Sequence, residues 1–351
     1  MINIGTYHRL NKLFNEAHKI DIGENDKFVI FSDLHMGKGG FNDDFINNSY
    51  LFKSILQNYY LERNYKLIMN GDVEELYKFS LKKVEDKWTD VYNIFDEFNN
   101  KNDFYKIFGN HDYELNFKKN STRHYKIYQA IKLELGSNSL FIYHGHQTAG
   151  MLEQHSIFAH YMVKYIFRYI SNDPIPIENG KRYKTEETAY QFSNIKKIIS
   201  ILGHTHRPLF ESLSKIESLK MLIEKLIKKY QKLPVKDKYQ LELQIRKYKD
   251  ELEHLYEKNK DYNLRSGLYN SQLLVPCLFN SGAVTGKRGI TGIEIKNGKI
   301  SLVYWFDRKK SNRYLNYKSV KAKRLSNTDY YKAILKRDNL DYIFSRINLL
   351  G

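Results

Sequence analysis

One cysteine, Cys277, occurs in 351 residues. No intramolecular disulfide can form, which fits a reducing compartment. The chain also lacks any run of about 18 or more uninterrupted apolar residues, so no membrane-spanning helix is expected. Its richest stretch, IFAHYMVKYIFRYI at 157–170, carries His160, Lys164 and Arg168. That is too short and too charged to cross a bilayer. The opening MINIGTYHRLNKLFNEAHKI has no long apolar core of the secretory type. A cytoplasmic location is therefore expected, with peripheral contact to a membrane surface left open. Acid is in short supply too: 57 Lys and Arg face 40 Asp and Glu, a formal charge of +17. Such an excess favours polyanions: nucleic acid, anionic membrane or phosphorylated substrates. Lys, Asn, Ile and Tyr are abundant together, and A/T-rich coding would give the same excess without selection for binding.

What is present argues for a folded chain. Apolar residues make up 42% and aromatic residues 15%, enough to fill a core and to argue against disorder. The length suits one large domain or two ordinary ones.

Arg9 to His18 has helical spacing, with Leu10, Leu13, Phe14 and Ala17 on one side. The run FVIF ending at Phe31 reads as a short buried strand. Asp43 to Tyr60 reads as a helix. YKLIMN at 65–70 is a second strand, YKIF at 105–108 a third, LFIY at 140–143 a fourth and IISIL at 198–202 a fifth. Helical stretches separate them, so the class is α/β. Each strand runs out into a cluster of Asp, Asn or His, most of them flanked by glycine. Open α/β sheets place ligands at such strand ends.

From residue 213 the pattern changes. Leu219, Leu222, Leu226 and Leu233 form one heptad-like stripe. Leu241, Ile245, Tyr248, Leu252 and Leu255 recur at coiled-coil steps, and Pro234 breaks the two apart. This predicts an antiparallel helical hairpin over 213–265, inserted into a main domain of 1–212 and 266–320. A helical tail is expected over 321–351. Ile293 and Ile295, then Asn297-Gly298, then Ile300 and Leu302, signal a β-hairpin.

The strand ends carry residues that ligate metals. They are Asp33 and His35 in SDLH, Asp72 in NGDVEE, Asn110 and His111 in GNHD, His144 and His146 in YHGH, and His204 and His206 in GHTH. Imidazole and carboxylate together suit Mn, Fe or Zn ions. In a strand, residues i and i+2 point the same way, so Asp33 and His35 can grip one ion. GHTH has the same spacing, but a sharp loop can aim its two imidazoles at two ions. One carboxylate, Asp72, can bridge two ions about 3.5–4 Å apart, which together activate water and clamp phosphate oxygens. Glycines beside the ligands admit close backbone approach.

The ordered set D-x-H, G-D-x-x-E, G-N-H-D, H-G-H and G-H-T-H resembles the calcineurin-like metallophosphoesterase superfamily over about 28–305, the hairpin apart. The resemblance implies a four-layer αββα sandwich around two divalent ions, manganese first, with iron and zinc as alternatives. It implies a first ion on Asp33, His35, Asp72 and His206, and a second on Asp72, Asn110, His144 and His204. His111 would act on the leaving-group oxygen, with Asp112 orienting it. The implied reaction is hydrolysis of a phosphomonoester, phosphodiester or pyrophosphate-linked substrate by attack of a metal-bound hydroxide. G-D-x-x-E and the SDLHMG opening further resemble the bacterial UDP-2,3-diacylglucosamine hydrolase branch. Enzymes of that branch often carry Arg where this chain has His111, and they lack the long hairpin and the lead helix. The reaction type therefore carries over and the lipid precursor substrate does not.

Several residues have two readings. Glu75 and His146 brace ligands, or Glu75 caps a helix. Lys38 and Arg207 bind substrate, or Arg207 pairs with a carboxylate. Asn280 opens a structural turn. The segment His155–Arg182 is a substrate cap or a packed helix pair. The substrate could be a nucleotide, a nucleic acid or a lipid-linked phosphate. The hairpin could mediate a homodimer or bind a partner protein. A non-catalytic scaffold on the same fold would be expected to have lost ligands, and here every expected ligand is present.

Overall fold

Strand β2 (Lys27–Phe31) shows how the layers arise. Phe28 and Ile30 enter one apolar cluster, whereas Val29 and Phe31 enter another, and all four are fully buried. A strand apolar on both faces must lie between two layers. The computed structural model describes residues 2–117, 123–149, 179–212, 215–231, 234–258, 275–315 and 320–351.

The larger sheet has eight strands. Besides β2 it contains β3 (Lys66–Asn70), β4 (Phe104–Ile107), β5 (Ile127–Tyr128), β10 (Ile290–Lys296), β11 (Lys299–Asp307), β12 (Ala322–Arg324) and β13 (Tyr330–Asn339). Their order is β12-β13-β11-β10-β2-β3-β4-β5. Strands β2 to β5 are parallel, and β10 closes onto β2 antiparallel. The smaller sheet has five strands: β1 (His18–Asp21), β6 (Ala130–Leu135), β7 (Asn138–Tyr143), β8 (Ile199–Leu202) and β9 (Leu278–Asn280). Here β7, β8 and β9 are parallel.

Phe28, Ile30, Ile68, Leu140, Ile142 and Ile199 meet between the sheets. The outer face of the larger sheet carries Phe52 of the Ser49–Ile55 helix, and Phe95 and Phe98 of the Thr89–Asn100 helix. The outer face of the smaller sheet carries Leu10 and Phe14 of the Ile4–Glu16 helix, and Phe192 of the Asn179–Lys196 helix. These layers are the expected αββα sandwich. Each fully buried side chain of this size contributes about 1.5–3 kcal/mol.

Some elements differ from expectation. Residues 321–351 are not a helical tail: β12 and β13 extend the large sheet, and only Leu340–Leu350 is helical. The antiparallel edge of β11 decides this, because an exposed long edge needs a partner. The first helix stops at Glu16, and His18 starts β1 as a parallel edge to β6. The hairpin of β10 and β11 pairs Ile293 with Leu302 and Ile295 with Ile300. Asn297 and Gly298 at its tip have φ of 53° and 64°, as a type I′ turn requires. Between β8 and β9 lie two helices, Lys215–Gln231 and Val235–Lys258, which pack on each other. Tyr230 donates to Glu242 at 2.6 Å. Residues 213–214, 232–233 (with Leu233 of the predicted stripe) and 259–265 of the expected hairpin lie outside the described residues, as do 155–178 of the expected cap. Among the described residues no helix is long and apolar enough to cross a membrane.

Candidate metal centre

Parallel β2, β3 and β4 of one sheet, and β7 and β8 of the other, end on the loops that carry the predicted ligands. The two sheets are stitched together there by buried polar groups. Asn70, last in β3, donates to the carbonyls of Tyr143 (3.1 Å) and Ile201 (3.4 Å) in the other sheet. Ser32 Oγ meets Ser281 Oγ at 2.8 Å.

Asp33 and His35 do not alternate along a strand. β2 stops at Phe31, and both residues have left-handed backbones, with φ of 56° and 50°. Asp72, His204 and His206 share this conformation at 53°, 63° and 56°. Asp, Asn and His tolerate it best among non-glycine residues, yet each instance still costs about 1 kcal/mol or more. Loop-to-loop hydrogen bonds hold the shape. Asp33 N donates to Gly71 O at 3.1 Å, and His35 N to Asp72 O at 3.0 Å. His204 N donates to both oxygens of Asp33, at 3.2 and 3.1 Å. The kinks bring Asp33 and His35 toward Asp72 and His206 on the neighbouring loops.

Two ligand groups result. In the first, His206 Nε2 lies 3.0 Å from Asp33 Oδ1 and 3.1 Å from His35 Nε2. In the second, His144 Nε2 lies 3.0 Å from Asp72 Oδ2, with His204 completing a cluster of three. Asp72 Oδ2 is also 4.0 Å from His35 Nε2, so one carboxylate oxygen borders both groups.

The tautomers follow from the outer contacts. His144 Nδ1 donates to Asn70 O at 2.8 Å, which leaves Nε2 as the atom to take an ion once its proton is displaced. His35 Nδ1 faces Glu75 Oε2 at 3.2 Å, which does the same for its Nε2. Such outer partners orient ligating imidazoles. His204 Nδ1 and Asn110 Oδ1 are buried and make no hydrogen bond, and His144 Nε2 faces only the Asp72 carboxylate. Buried polar atoms normally find partners. Lone pairs converging on carboxylates, with unsatisfied atoms beside them, are the donor set of a divalent cation.

The charges agree. Burial alone would raise the Asp72 carboxyl, but His144 and His111 hold it well below its usual value. Asp33 is likewise buried, and His206 pulls it down. His144 is pushed up to about 10, because Asp72 outweighs the opposing effect of burial. His204 falls to about 3 through burial and the nearby His144 charge.

Glu75 also reaches His111, with Oε1 3.0 Å from Nδ1. Asp112, expected to orient His111, bonds backbone groups. The Asp112 carboxylate accepts backbone N–H bonds from Gly109, Asp72 (3.3 Å) and Val73 (2.8 Å), tying two loops together. Burial and the neighbouring Glu74 and Asp72 push its carboxyl up to about 7. Arg207, expected at substrate, is engaged by Glu186, which also accepts from Thr205 Oγ1 at 2.8 Å. Lys38 is exposed, with Nζ 5.8 Å above the Phe79 ring. His146 is buried 5.6 Å from the His144 ring, with Nδ1 unpartnered; burial and the His144 charge hold its imidazole neutral.

Sequence reasoning missed Asn70 and Lys78 as braces and read Asn280 as opening a turn. Lys78 Nζ lies 3.9 Å from Glu75 Oε2. Asn280 donates to Gly203 O and Thr205 Oγ1, at 2.8 and 3.0 Å, and so holds the GHTH loop. The signal for Asn70 and Asn280 was there: an amide closing a buried apolar strand needs partners across the sheet.

A family profile described as calcineurin-like phosphoesterase matches residues 26–211, more than half of the chain. The matched span holds every strand-end cluster from Asp33 to His206. No curated protein matches significantly. Among solved structures, a conserved uncharacterized protein and predicted phosphoesterase from Streptococcus pneumoniae TIGR4 is 12% identical, over 80% of this chain and 89% of its own, with a TM-score of 0.28. A single mutant of Vps29 from Entamoeba histolytica is 10% identical, over 80% and 92%, with a TM-score of 0.32. The match is to the family at large. It does not support the UDP-2,3-diacylglucosamine hydrolase branch, from which His111 also departs.

Proposed function

Because the chain belongs to the calcineurin-like phosphoesterase family, we propose that it hydrolyses phosphoesters with two divalent ions as cofactors. The observation that carries this reading is the position of Asp72 Oδ2, 3.0 Å from His144 Nε2 and 4.0 Å from His35 Nε2. A carboxylate between two imidazole clusters is what a paired-ion site needs.

Asp33, His35, His206 and Asp72 would hold one ion, and Asp72, Asn110, His144 and His204 the other. When bound, such ions supply Lewis acidity toward phosphoryl oxygens and activate water. The chain's own residues do the rest. Glu75 fixes the ring of His111 by its Nδ1, which assigns proton transfer to Nε2. Burial disfavours the His111 cation, but Asp72 and Glu75 outweigh it and raise its pKa. An imidazole whose protonated form is favoured in this way can donate to the leaving-group oxygen. Glu75 is thus a positioning residue for His111.

The test is turnover of an aryl phosphodiester and an aryl phosphomonoester by metal-stripped protein refilled with Mn, Fe or Zn. Activity that returns with metal and is lost in Asp72→Asn supports the reading. Absence of metal-stimulated turnover on both substrates rejects it.

A further inference from the structure

Away from the metal centre, two adjoining hollows share the side chains of Tyr50 and Tyr330. They measure about 430 and 180 Å³. Tyr50 stands 74% exposed on the Ser49–Ile55 helix, with Lys53 Nζ 4.7 Å above its ring. The larger hollow holds Lys53, and the smaller holds Arg288 and Lys310. Asp90 and Asp307 also line them, one in each. Asp90 is taken up by Lys53, and Lys310 Nζ rests on Asn47 O.

One loop connects this surface to the metal centre. At the hollow, Asn48 Nδ2 donates to Val284 O at 2.6 Å and Gly286 O at 2.9 Å. At the other end, Val284 N donates to Ser32 O at 3.3 Å, and Ser32 Oγ to Gly282 O at 3.1 Å. Ser32 Oγ also donates to Asp33, a predicted ligand. The loop that borders the smaller hollow is thus tied through buried residues to the backbone that carries Asp33.

Two tyrosines dividing two adjoining hollows, with cations in each, match the alternation of bases and phosphates. We propose that this surface binds single-stranded nucleic acid, with bases stacked on Tyr50 and Tyr330 and phosphates at Arg288 and Lys310. Aromatic platforms within a basic groove are how strands are held without sequence preference. The net charge of +17 supplies long-range attraction to the polyanion. This deepens the phosphoesterase reading and rests on it: the bound strand would be the phosphodiester substrate. An anionic membrane fits less well, because Ser54, Gln57, Asn58 and Asn47 line the hollows rather than an apolar patch.

The test is fluorescence anisotropy of a labelled 15-nucleotide oligothymidylate with the full chain, in chelator so that nothing is cleaved. Affinity should fall steeply with salt. It should fall about tenfold or more in Tyr50→Ala, be largely kept in Tyr50→Phe, and drop again in Arg288→Glu/Lys310→Glu. These variants should keep wild-type hydrolysis of an aryl phosphodiester, which also shows that they fold. Lack of oligonucleotide binding by the wild type at low salt overturns the proposal. Binding indifferent to all these variants overturns it as well. So does loss, in the same variants, of binding to phosphatidylserine vesicles alone. Failure of the phosphoesterase reading shows instead as no metal-dependent turnover, whatever the anisotropy.

Discussion

Oε1 of Glu75 lies 3.0 Å from Nδ1 of His111, while Oε2 of the same carboxylate lies 3.2 Å from Nδ1 of His35. One buried acid therefore orients two imidazoles with different duties. Both assignments depend on the carboxylate accepting two N–H groups at once. A glutamine can accept only one and sets an amide N–H against the other.

Glu75→Gln should lower kcat on an aryl phosphodiester about 100-fold or more, the usual scale for losing a positioned proton donor, with KM much less affected. The substitution should also change acid stability. Burial opposes the Glu75 carboxylate, but the two histidines hold its pKa well below 4.5. A depressed carboxyl stabilises the fold above its unfolded pKa, and that stability is lost as pH falls below about 4.5. Chemical denaturation between pH 7 and 3 should show a shallower loss in the variant. An unchanged kcat together with an unchanged pH slope would dismiss the role.

Metal uptake should release protons. His144 carries one up to about pH 10 in the ion-free protein, and a bound cation must displace it. Affinity for Mn should therefore rise from pH 6 to pH 9, read by calorimetry in two buffers of different ionisation enthalpy. Added metal should raise Tm, by about 2.7 kcal/mol of linkage at one hundred times Kd. Asp72→Asn should remove most of that gain. A Tm that ignores metal in the wild type would contradict the site.

The glycines beside the ligands make a stability test of their own. Gly71 has φ of 82°, and an added Cβ would stand well inside contact distance of the His144 ring and 2.9 Å from Gly109 Cα. Gly298 has φ of 64°, but open space around it. Both Gly→Ala changes meet the left-handed penalty of roughly 1–2 kcal/mol. Gly71→Ala should lose several times more, and its metal-induced Tm shift should vanish. Equal Tm losses in the two variants would show that His144 is not held where it stands.

Much of this was legible because buried strands announce themselves. The FVIF and YKLIMN runs became β2 and β3, and their polar ends became the site. Strand β1 was not legible: HKID is exposed at three of its four residues, so no apolar pattern marks it. Strand β13 mixes Lys, Arg and Asp with its few apolar residues, and only pairing to β11 makes it a strand. The common aim of Asp33 and His35 was foreseen for the wrong reason. Pleat alternation was expected, whereas left-handed backbones do the turning, and those depend on partners in loops distant in sequence, Gly71 and Asp72 for Asp33 and His35. The choice of Glu75 over Asp112 as the partner of His111 is of the same kind. Asp112 is adjacent in sequence, but three backbone N–H groups claim it.

The large sheet offers a last prediction, remote from the chemistry. Lys332 of β13 and Glu294 of β10 form an ion pair on either side of β11, with residue exposures of 7% and 3%. Tyr60 donates to Glu294 Oε1 at 2.7 Å, and Lys332 donates to Tyr59 at 2.9 Å. Trp305 in turn donates to Tyr60 at 2.8 Å. Removing one charge leaves the other buried and uncompensated. Lys332→Met should therefore destabilise by about 3–5 kcal/mol. The double change Glu294→Gln/Lys332→Met should recover most of that loss, because the neutral pair meets no charge desolvation penalty. Urea unfolding of the two variants decides the matter. If the double variant is as unstable as the single, packing around Lys332 rather than its charge holds this edge of the sheet.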